Sequence, residues 1–408
     1  MLKIANNTTA LLRGALALLG VTVVFATSAA QAQTTAPLKI GVLTDLSGPF
    51  ADSGGQGSVL AANMAVKDFG GTVLGRKIEI ISGDTLNKPD VASSVARRWL
   101  ENEGVSAIVD LPVTPIGFAV QAVAKQLNKT VMITAAATSD FTNKTCSLNS
   151  THWSDDTHAL AAGTARELVA SGAKSWEFLA VDTAFGTALV KDASEVITAT
   201  GGTVLGTVRH PVGALDYSSL LLQIQTSKAQ MIGLATVGND LINVIKQSKE
   251  FGLGADGSQS LVAFLVFITD IHALGPDVAQ NLVVSSGFYW NRNDATRAFA
   301  NRFFAERKAM PTKTQAGIYA AVTHYLKAVA AAGADDTDAV GRKMRELPVT
   351  YFGKPASIRS DGRVLFDLDV FKIKSKAQVT TLWDYYELVR TIPASAAFLP
   401  VNTAVCGG

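Results

Sequence analysis

The sequence predicts an α/β protein made of two successive modules, each built around a parallel sheet. From residue 38 onward, short apolar runs of strand length alternate with longer segments whose apolar residues recur at helical spacing. The alternation restarts near residue 158. Because the connections are short, this rhythm favours parallel sheets that are covered by helices on both faces.

The composition excludes two other classes. Hydrophobic residues make up 48% of the 408 positions and charged residues 17%, which is too apolar for a disordered chain and sufficient for two buried cores. The 36 Lys and Arg residues nearly balance the 34 Asp and Glu residues, so the basic surplus of a nucleic-acid-binding protein is missing. We therefore expect no nucleic-acid partner.

Residues 1–32 are typical of a secretory signal peptide. Lys3 and Arg13 supply the positive start, residues 15–26 are apolar, and Ala30-Gln31-Ala32 is a small-x-small cleavage site. The apolar run is much shorter than the ~20 residues that a membrane-spanning helix requires. We predict cleavage after Ala32, export to the periplasm, and a mature chain that is not inserted in a membrane.

The first module is predicted to contain alternating strands and helices. Gly70-Gly71 ends its first helix, and Pro89-Asp90 begins its second. The predicted strands are 38–43, 77–81, 105–109 and 131–133, and the predicted helices are 56–69, 89–101 and 115–127.

The second module repeats this pattern, and a mixed segment follows it. Asp155-Asp156 is predicted to cap the first helix of this module. The predicted helices are 158–170, 186–200, 217–227, 240–251, 294–308, 314–332 and 339–347. The predicted strands are 175–181, 203–208, 231–235, 261–263 and 282–285, with a β-rich tail at 357–358, 364–373 and 378–386.

No motif in the sequence predicts catalysis, a metal site or a cofactor. Residues 252–257 fit the pattern GxGxxG but follow a predicted helix, whereas a dinucleotide site follows a strand. A nucleophile elbow, an HExxH motif and a Walker loop are all absent from the sequence. Sequence alone leaves open an exported hydrolase whose catalytic residues meet only in space.

Several segments together resemble the periplasmic substrate-binding proteins of ABC transporters, in the leucine/isoleucine/valine-binding family. The segments are LKIGVLTDLSGPFA at 38–51, GGQG at 54–57, AANMAV at 61–66, VMITAAATSD at 131–140, DTAFG at 182–186, NRFFAER at 301–307 and QAGIYAAV at 315–322. The resemblance covers about residues 38–390. It implies a type I fold, with two doubly wound parallel-sheet lobes joined by three crossovers, a ligand in the cleft between them, and a membrane permease as partner.

The resemblance also implies the division of the chain. Lobe 1 is expected to contain residues 33–152 and 287–353, and lobe 2 residues 153–286 and 354–385. Residues 386–408 are expected to return to lobe 1 as a tail.

Ligand contacts are expected at the carboxyl ends of the strands. The family's positions fall on Ser47, Phe50, Thr114, Ala136, Ala137, Thr138, Trp153, Phe185, Thr236, Gly238, Phe264 and Tyr289. Thr138 and the backbone N–H groups of Ala136 and Ala137 are expected to hold a carboxylate. Pro112 and Val113 depart from the run of serines that is usual in the family.

Phe264 is the departure that bears most on the ligand. Amino-acid binders of the family have an acidic residue at the matching position, which holds the ammonium group of the ligand. With Phe264 there, an ammonium would lose its charge partner, at a cost of several kcal/mol. The sequence therefore resembles the aromatic-acid-binding subset, and we expect a ligand such as a benzoate or a hydroxycinnamate, with its ring between Phe50, Trp153, Phe185 and Phe264. The alternatives are a branched-chain amino acid as ligand, or a ligand sensor in place of a transport component.

Cys146 and Cys406 are the only two cysteines in the sequence. Because an exported chain folds in an oxidising compartment, we predict that they form a disulfide that ties the C-terminal tail to lobe 1.

Overall fold

The computed structural model describes residues 36–253 and 257–406. The predicted signal peptide at 1–32 lies outside these residues, as does the centre of the glycine-rich segment, Gly254 to Asp256. Within the described residues, the strand and helix bounds mostly agree with the sequence prediction to within one or two positions.

The first large sheet lies in the N-terminal part of the chain. Its strands are β1 Leu38–Thr44, β2 Thr72–Val73, β3 Arg76–Asp84, β4 Val105–Asp110, β5 Thr130–Ile133 and β6 Ser150–His152, in the spatial order β2-β3-β1-β4-β5-β6. Its helices are α1 Gly55–Phe69, α2 Pro89–Asn102 and α3 Thr114–Gln126. All neighbouring pairs are parallel except β2 and β3. The order reverses at β1, and open α/β sheets bind ligands at such a reversal.

Helices cover both faces of this sheet, so its central strands carry apolar residues in near-continuous runs. Ile40, Val42 and Val109 are fully buried. A side chain at Gly41 would lie 2.5 Å from the Trp99 indole, so glycine there allows α2 to pack closely on β1.

The second large sheet follows the first along the chain. Its elements are α4 Thr157–Ala170, β7 Ser175–Val181, α5 Ala184–Ala199, β8 Thr203–His210, α6 Ser218–Ser227, β9 Met231–Ala235, α7 Asn239–Glu250 and β10 Ser260–Ala263. The strands are parallel in the order β10-β9-β7-β8. Asp156 caps α4, accepting a hydrogen bond from Ala159 N at 2.8 Å, as the sequence predicts.

The remaining elements form two smaller sheets and further helices. They are α8 Ile268–Leu274, α9 Pro276–Ala279, β11 Val283–Ser286, α10 Asp294–Arg307, α11 Lys313–Ala332, α12 Thr337–Glu346, β12 Val349–Tyr351, β13 Lys354–Ile358, β14 Val364–Leu365, β15 Leu368–Ile373, β16 Tyr386–Ile392, α13 Ala394–Ala397 and α14 Thr403–Cys406. Short 3₁₀ turns lie at Ser139–Thr142 and Lys376–Gln378. The smaller sheets have the orders β11-β15-β16 and β12-β13-β14.

One prediction for the C-terminal part is wrong, and one helix of the second lobe was not predicted. The predicted strand 378–386 is a turn and an irregular segment, because Gln378 Oε1 accepts a hydrogen bond from Ser375 N at 2.9 Å and Trp383 has a φ of 74°. The strand lies later, at β16. The apolar stretch after β10 forms the unexpected helix α8, where Asp270 Oδ2 accepts a hydrogen bond from Phe267 N at 2.9 Å.

The chain passes three times between the two large sheets, which confirms the predicted crossovers. We call the first lobe the six-stranded sheet with α1–α3, α10–α12 and β12–β14, and the second lobe the four-stranded sheet with α4–α9, β11, β15 and β16. The crossings fall near residues 153–156, 287–293 and 366–367. The predicted boundary 353/354 would separate β12 from β13, and the boundary 385/386 would separate β15 from β16, although the strands of each pair are hydrogen-bonded to each other. The pairing therefore favours boundaries that lie later in the chain than predicted. The lobe boundaries as such stay a prediction.

Arg363 joins two of the crossing segments inside the protein. Its guanidinium is fully buried, with Nη1 2.8 Å from His152 Nδ1 and 3.3 Å from Asp156 Oδ2, and Nη2 donates to Ser154 O at 2.6 Å. The backbone N–H of His152 donates to Gly362 O at 2.9 Å. The strand that ends at His152 is therefore fastened to the segment that precedes β14.

The predicted disulfide is confirmed. Cys146 and Cys406 are bonded, with 5.9 Å between their Cα atoms and a sequence separation of 260. Close by, Asn402 Nδ2 donates to Asn143 O at 3.1 Å. The end of the tail is thereby attached to the loop between β5 and β6 of the first lobe.

Candidate functional site

A cavity of about 480 Å³ lies between the lobes, at the carboxyl ends of the strands of both large sheets. The first lobe contributes the segments that follow β1, β3, β4 and β5, and the second lobe those that follow β7, β8, β9 and β10. Thr314 in the first turn of α11 completes the lining. The volume is within the usual range for sites that enclose small organic molecules.

Seven of the twelve predicted ligand positions line this cavity. They are Ser47, Phe50, Thr114, Ala136, Ala137, Phe185 and Thr236. The structure therefore brings together positions that are spread over more than 180 residues of sequence.

Three aromatic positions lie outside the lining, and each has packing partners of its own. Trp153 is fully buried, and its Nε1 donates to Thr151 Oγ1 at 2.8 Å. Phe264 is fully buried in the second lobe, with its ring centroid 6.2 Å from that of Phe178. Tyr289 donates its hydroxyl proton to Asp384 Oδ1 at 2.6 Å. The expectation that Trp153 and Phe264 flank the ring of the ligand, and that Tyr289 contacts the ligand, is thereby corrected.

Thr138 and Gly238 also lie outside the lining. Thr138 Oγ1 accepts a hydrogen bond from Asp140 N, so this side chain caps the 3₁₀ turn instead of facing the cavity. Gly238 is adjacent to the cavity, since a side chain there would lie 3.4 Å from the Phe50 ring. Its φ of 65° also suits glycine.

Sequence reasoning missed Leu265 and Phe267, which form the wall after β10. The segment was correctly selected, but Phe264 was placed at the ligand. The chain turns directly after Ala263, so Phe264 points into the core and the following residues reach the cavity. The apolar run 263–268 could have indicated these positions, because it is longer than the strand β10 and continues beyond its end.

Two hydroxyl groups of the lining have no hydrogen-bond partner among the described residues. Thr114 is the first residue of α3, whose N-cap Val113 offers no side-chain acceptor, and Thr236 follows β9. Both oxygens are buried and unpartnered. Uncapped helix N-termini favour anions. By contrast, the backbone N–H of Ala136 donates to Leu111 O at 2.9 Å, so the predicted role of this N–H group in holding a carboxylate is corrected.

All charged side chains that line the cavity in the described structure are acidic. Asp45 is buried and accepts hydrogen bonds from Gly48 N at 2.7 Å, Phe50 N at 2.9 Å and Asn87 Nδ2 at 2.7 Å. Asp240 accepts from Gly213 N at 3.0 Å. These two carboxylates therefore have donors of their own.

Asp110 differs from these two aspartates. It is fully buried, and its carboxyl receives no backbone N–H donor and no cation from the described residues, so the hydroxyls of Thr44 and Ser58 are its polar neighbours. Burial raises the pKa of Asp110 to about 6 and Asp45 adds to the rise, whereas hydrogen bonding by the hydroxyls of Thr44 and Ser58 opposes it. Asp110 is not among the ligand positions predicted from the sequence, and the structure places it at the last position of β4.

Among the described residues, no group of three or more His, Cys, Asp or Glu side chains is arranged to hold a metal ion. In the same part of the chain, every helix is too short or too polar to cross a bilayer.

A second acidic group lies beside the cavity. Lys313 Nζ is 3.0 Å from Asp155 Oδ2, and the backbone N–H of Gly287 donates to Asp155 Oδ1 at 3.1 Å. Burial raises the pKa of nearby Asp270 to about 7, although Lys313 opposes the rise. These residues lie where crossing segments meet α8 and α11.

Replacing Asp270 by asparagine should stabilise the protein at pH 8, by on the order of 2 kcal/mol. An unfolded aspartate titrates near pH 3.9, so the folded state binds more protons between about pH 4 and 7 and stability falls as the pH rises through this window. Asparagine keeps the acceptor for Phe267 N without the charge. Calorimetric melting should show a higher Tm for the variant at pH 8 and little difference near pH 4. An equal difference at both pH values would contradict this titration.

Fold and site together define a two-lobed α/β protein that encloses a small ligand between its lobes. Residues 37–378 match the family model described as periplasmic binding protein, and the chain belongs to that family. Members of the family are solute-binding proteins rather than enzymes. The recognition made from the sequence is therefore confirmed.

Three solved structures illustrate the similarity. A periplasmic binding protein from Burkholderia mallei is 42% identical, with a TM-score of 0.87, over 91% of this chain and 98% of that one. A branched-chain amino acid ABC transporter periplasmic ligand-binding protein from Burkholderia xenovorans is 35% identical, with a TM-score of 0.81, over 89% and 97%. A solute-binding protein of an ABC transporter from Rhodopseudomonas palustris, in complex with 3,4-dihydroxybenzoic acid, is 21% identical, with a TM-score of 0.79, over 88% and 98%. Because the Rhodopseudomonas palustris protein is only 21% identical, its similarity shows a shared fold and nothing further.

Proposed function

We propose that this chain is the solute-binding component of an ABC importer and that it captures a small carboxylate with an apolar body. An aromatic acid such as a benzoate or a hydroxycinnamate is the preferred class. The ligand lies in the cavity between the lobes and is delivered to the permease subunits. The proposed location is the periplasm, reached by cleavage of the signal peptide after Ala32.

The observation that carries this proposal is the lining of the cavity. Phe50 of the first lobe and Phe185 and Phe267 of the second bring three rings to one enclosed space. Thr114 and Thr236 add buried hydroxyls that lack partners, at strand ends where helices begin. An apolar body between the rings and a carboxylate near the start of α3 would satisfy both features. The aromatic acid bound to the Rhodopseudomonas palustris protein belongs to the same chemical class.

A branched-chain amino acid is the second candidate, and the acidic lining favours it. Asp110 has no cationic partner, and the described lining contains no Lys, Arg or His, so an ammonium group would find a carboxylate there. The Burkholderia xenovorans protein, a branched-chain amino acid ABC transporter periplasmic ligand-binding protein, supports the same ligand class. A ligand sensor would bind in the same way, and reconstituted transport with the cognate permease distinguishes it from a transport component.

A thermal-shift screen of aromatic acids against aliphatic amino acids tests the ligand class. A ligand at a hundredfold excess over its Kd stabilises the folded state by about 2.7 kcal/mol. We expect benzoate or hydroxycinnamate derivatives to raise the Tm and leucine and valine to leave it unchanged. The reverse result would establish the second candidate and exclude the first.

A matched pair of phenylalanine variants tests the position of the ligand. Phe185→Leu should weaken the binding of an aromatic acid about two- to tenfold, because it removes one ring contact from the cavity wall. Phe264→Leu should leave the affinity unchanged and lower the stability, because this ring lies in the core. Titration calorimetry and denaturant unfolding of both variants supply the two readouts, and loss of affinity in the Phe264 variant alone would contradict the site.

A further inference from the structure

The burial of the Asp110 carboxyl group and the backbone conformation of this residue have no explanation in the fold alone. Asp110 is fully buried, it has neither a backbone N–H donor nor a cation among the described residues, and it contributes to the cavity lining. Its φ is 93° and that of Leu111 is 68°, so two successive non-glycine residues occupy the left-handed region. Strained backbone and an unpaired buried carboxyl both cost free energy, and such features concentrate at functional sites.

The groups around Asp110 favour its neutral, protonated form. It lies under the start of α1, where a side chain at Gly54 would be 3.3 Å from both Asp110 Oδ2 and Ser58 Oγ. Asp45 faces it from the segment after β1, and the hydroxyls of Thr44 and Ser58 are the other polar neighbours. Asp45 and Asp240 differ from Asp110 in that backbone N–H groups donate to both of them.

A carboxylate ligand would enter a space whose charged lining is acidic throughout. Without a compensating cation, each ionised aspartate nearby opposes its binding. Protonation of Asp110 removes one negative charge and adds an O–H donor at the same wall. A carboxylic acid that an apolar site keeps neutral can donate a hydrogen bond to an anion.

We propose that Asp110 couples ligand binding to the uptake of one proton, so that the cavity accepts a carboxylate when Asp110 is the neutral acid. This inference rests on the proposed function and adds a specificity rule to it. Ligands with one negative charge are accepted together with a proton, and a second anionic group or a higher pH works against binding. The proton comes from solvent and remains on the Asp110 carboxyl, and no covalent bond is made or broken in the ligand.

The pH dependence of affinity tests the proposal. With 4-hydroxybenzoate as the probe, the Kd of the wild-type protein should rise about tenfold per pH unit above pH 6 and level off below it. The carboxyl group of the probe is ionised throughout this range, so its own titration does not contribute. Calorimetry in buffers of different ionisation enthalpy should show about one proton taken up per ligand at pH 8.

Asp110→Asn supplies the decisive comparison, because asparagine imitates the neutral acid in shape and carries an N–H donor. The variant should bind the probe at pH 8 about as tightly as the wild type does at pH 6, with no proton uptake. The control is Asp270→Asn, which removes another carboxyl that titrates near neutral pH and lies outside the cavity lining. This control should keep the wild-type slope.

The outcomes that contradict the proton coupling differ from those that contradict the proposed function. Binding of the probe with a pH-independent Kd would overturn the proton coupling and leave the proposed function intact. An affinity that rises with pH would also overturn it, and such a rise with leucine in place of the probe would identify ionised Asp110 as the partner of an ammonium. No binding of the probe at any pH between 5.5 and 8 would overturn the inference together with the aromatic-acid assignment.

Discussion

Replacing Arg363 by methionine should lower the free energy of unfolding by about 3–5 kcal/mol. The guanidinium is fully buried and bonds to His152, Ser154 and Asp156, which belong to the strand end and crossing segment at residues 152–156. Methionine fills a similar volume but leaves the Asp156 carboxylate buried without its cation. The effect should therefore exceed that of an ordinary core substitution.

Urea unfolding of the variant at pH 8 and pH 5 checks the cause. Burial raises the pKa of Asp156, and Arg363 opposes the rise, so loss of Arg363 should let Asp156 become protonated at a higher pH. The loss of stability should then be smaller at pH 5. Arg97→Met is the matched control, because Arg97 forms an exposed pair with Glu101 and its removal should cost less than about 1 kcal/mol. Equal losses in both variants would contradict the role of the buried network.

Removing the disulfide should lower the free energy of unfolding by about 2–5 kcal/mol. The bond between Cys146 and Cys406 encloses most of the described chain, because the two cysteines have a sequence separation of 260. In the chain-entropy account, a long enclosed segment gives a large effect because the cross-link restricts the unfolded state.

The double variant Cys146→Ser, Cys406→Ser is the suitable test, since it leaves no unpaired thiol. We expect a lower urea midpoint for the double variant than for the oxidised wild type. Treatment of the wild-type protein with a reductant should reproduce the change, whereas the same treatment of the double variant should have no effect. Unchanged midpoints would show that the tail is held by contacts such as Asn402 to Asn143 O instead.

The βα rhythm predicted most of the fold because its signals are local. Helix spacing, the stops at Gly70-Gly71 and the cap at Asp156 each depend on a few neighbouring residues, and all three are found in the structure. The tail was harder to predict, since the strand β16 is selected by pairing with β15, which is a long-range contact. A turn at Ser375 and the backbone conformation of Trp383 then shift the strand away from its expected position.

The candidate site was predictable in its loops but not in its side chains. The loops that follow parallel strands lie at the same edge of a sheet, and this rule predicted that such loops would line the ligand site. Ser47, Phe50, Phe185 and Thr236 belong to these loops and line one cavity. Which residue of each loop faces the cavity depends on where the strand ends, as Phe264 and Phe267 show. The state of Asp110 depends on burial and on unpaired oxygens, and these are properties of the packed structure alone.

Titration calorimetry of the mature protein with aromatic carboxylates is the measurement that tests the central claim most directly. The account predicts one ligand per chain, recovery of the ligand unchanged after the titration, and a negative heat-capacity change, since apolar surface of the ligand and of the rings around it is buried. Absence of binding by both aromatic acids and aliphatic amino acids, or chemical conversion of the ligand during the titration, would contradict it.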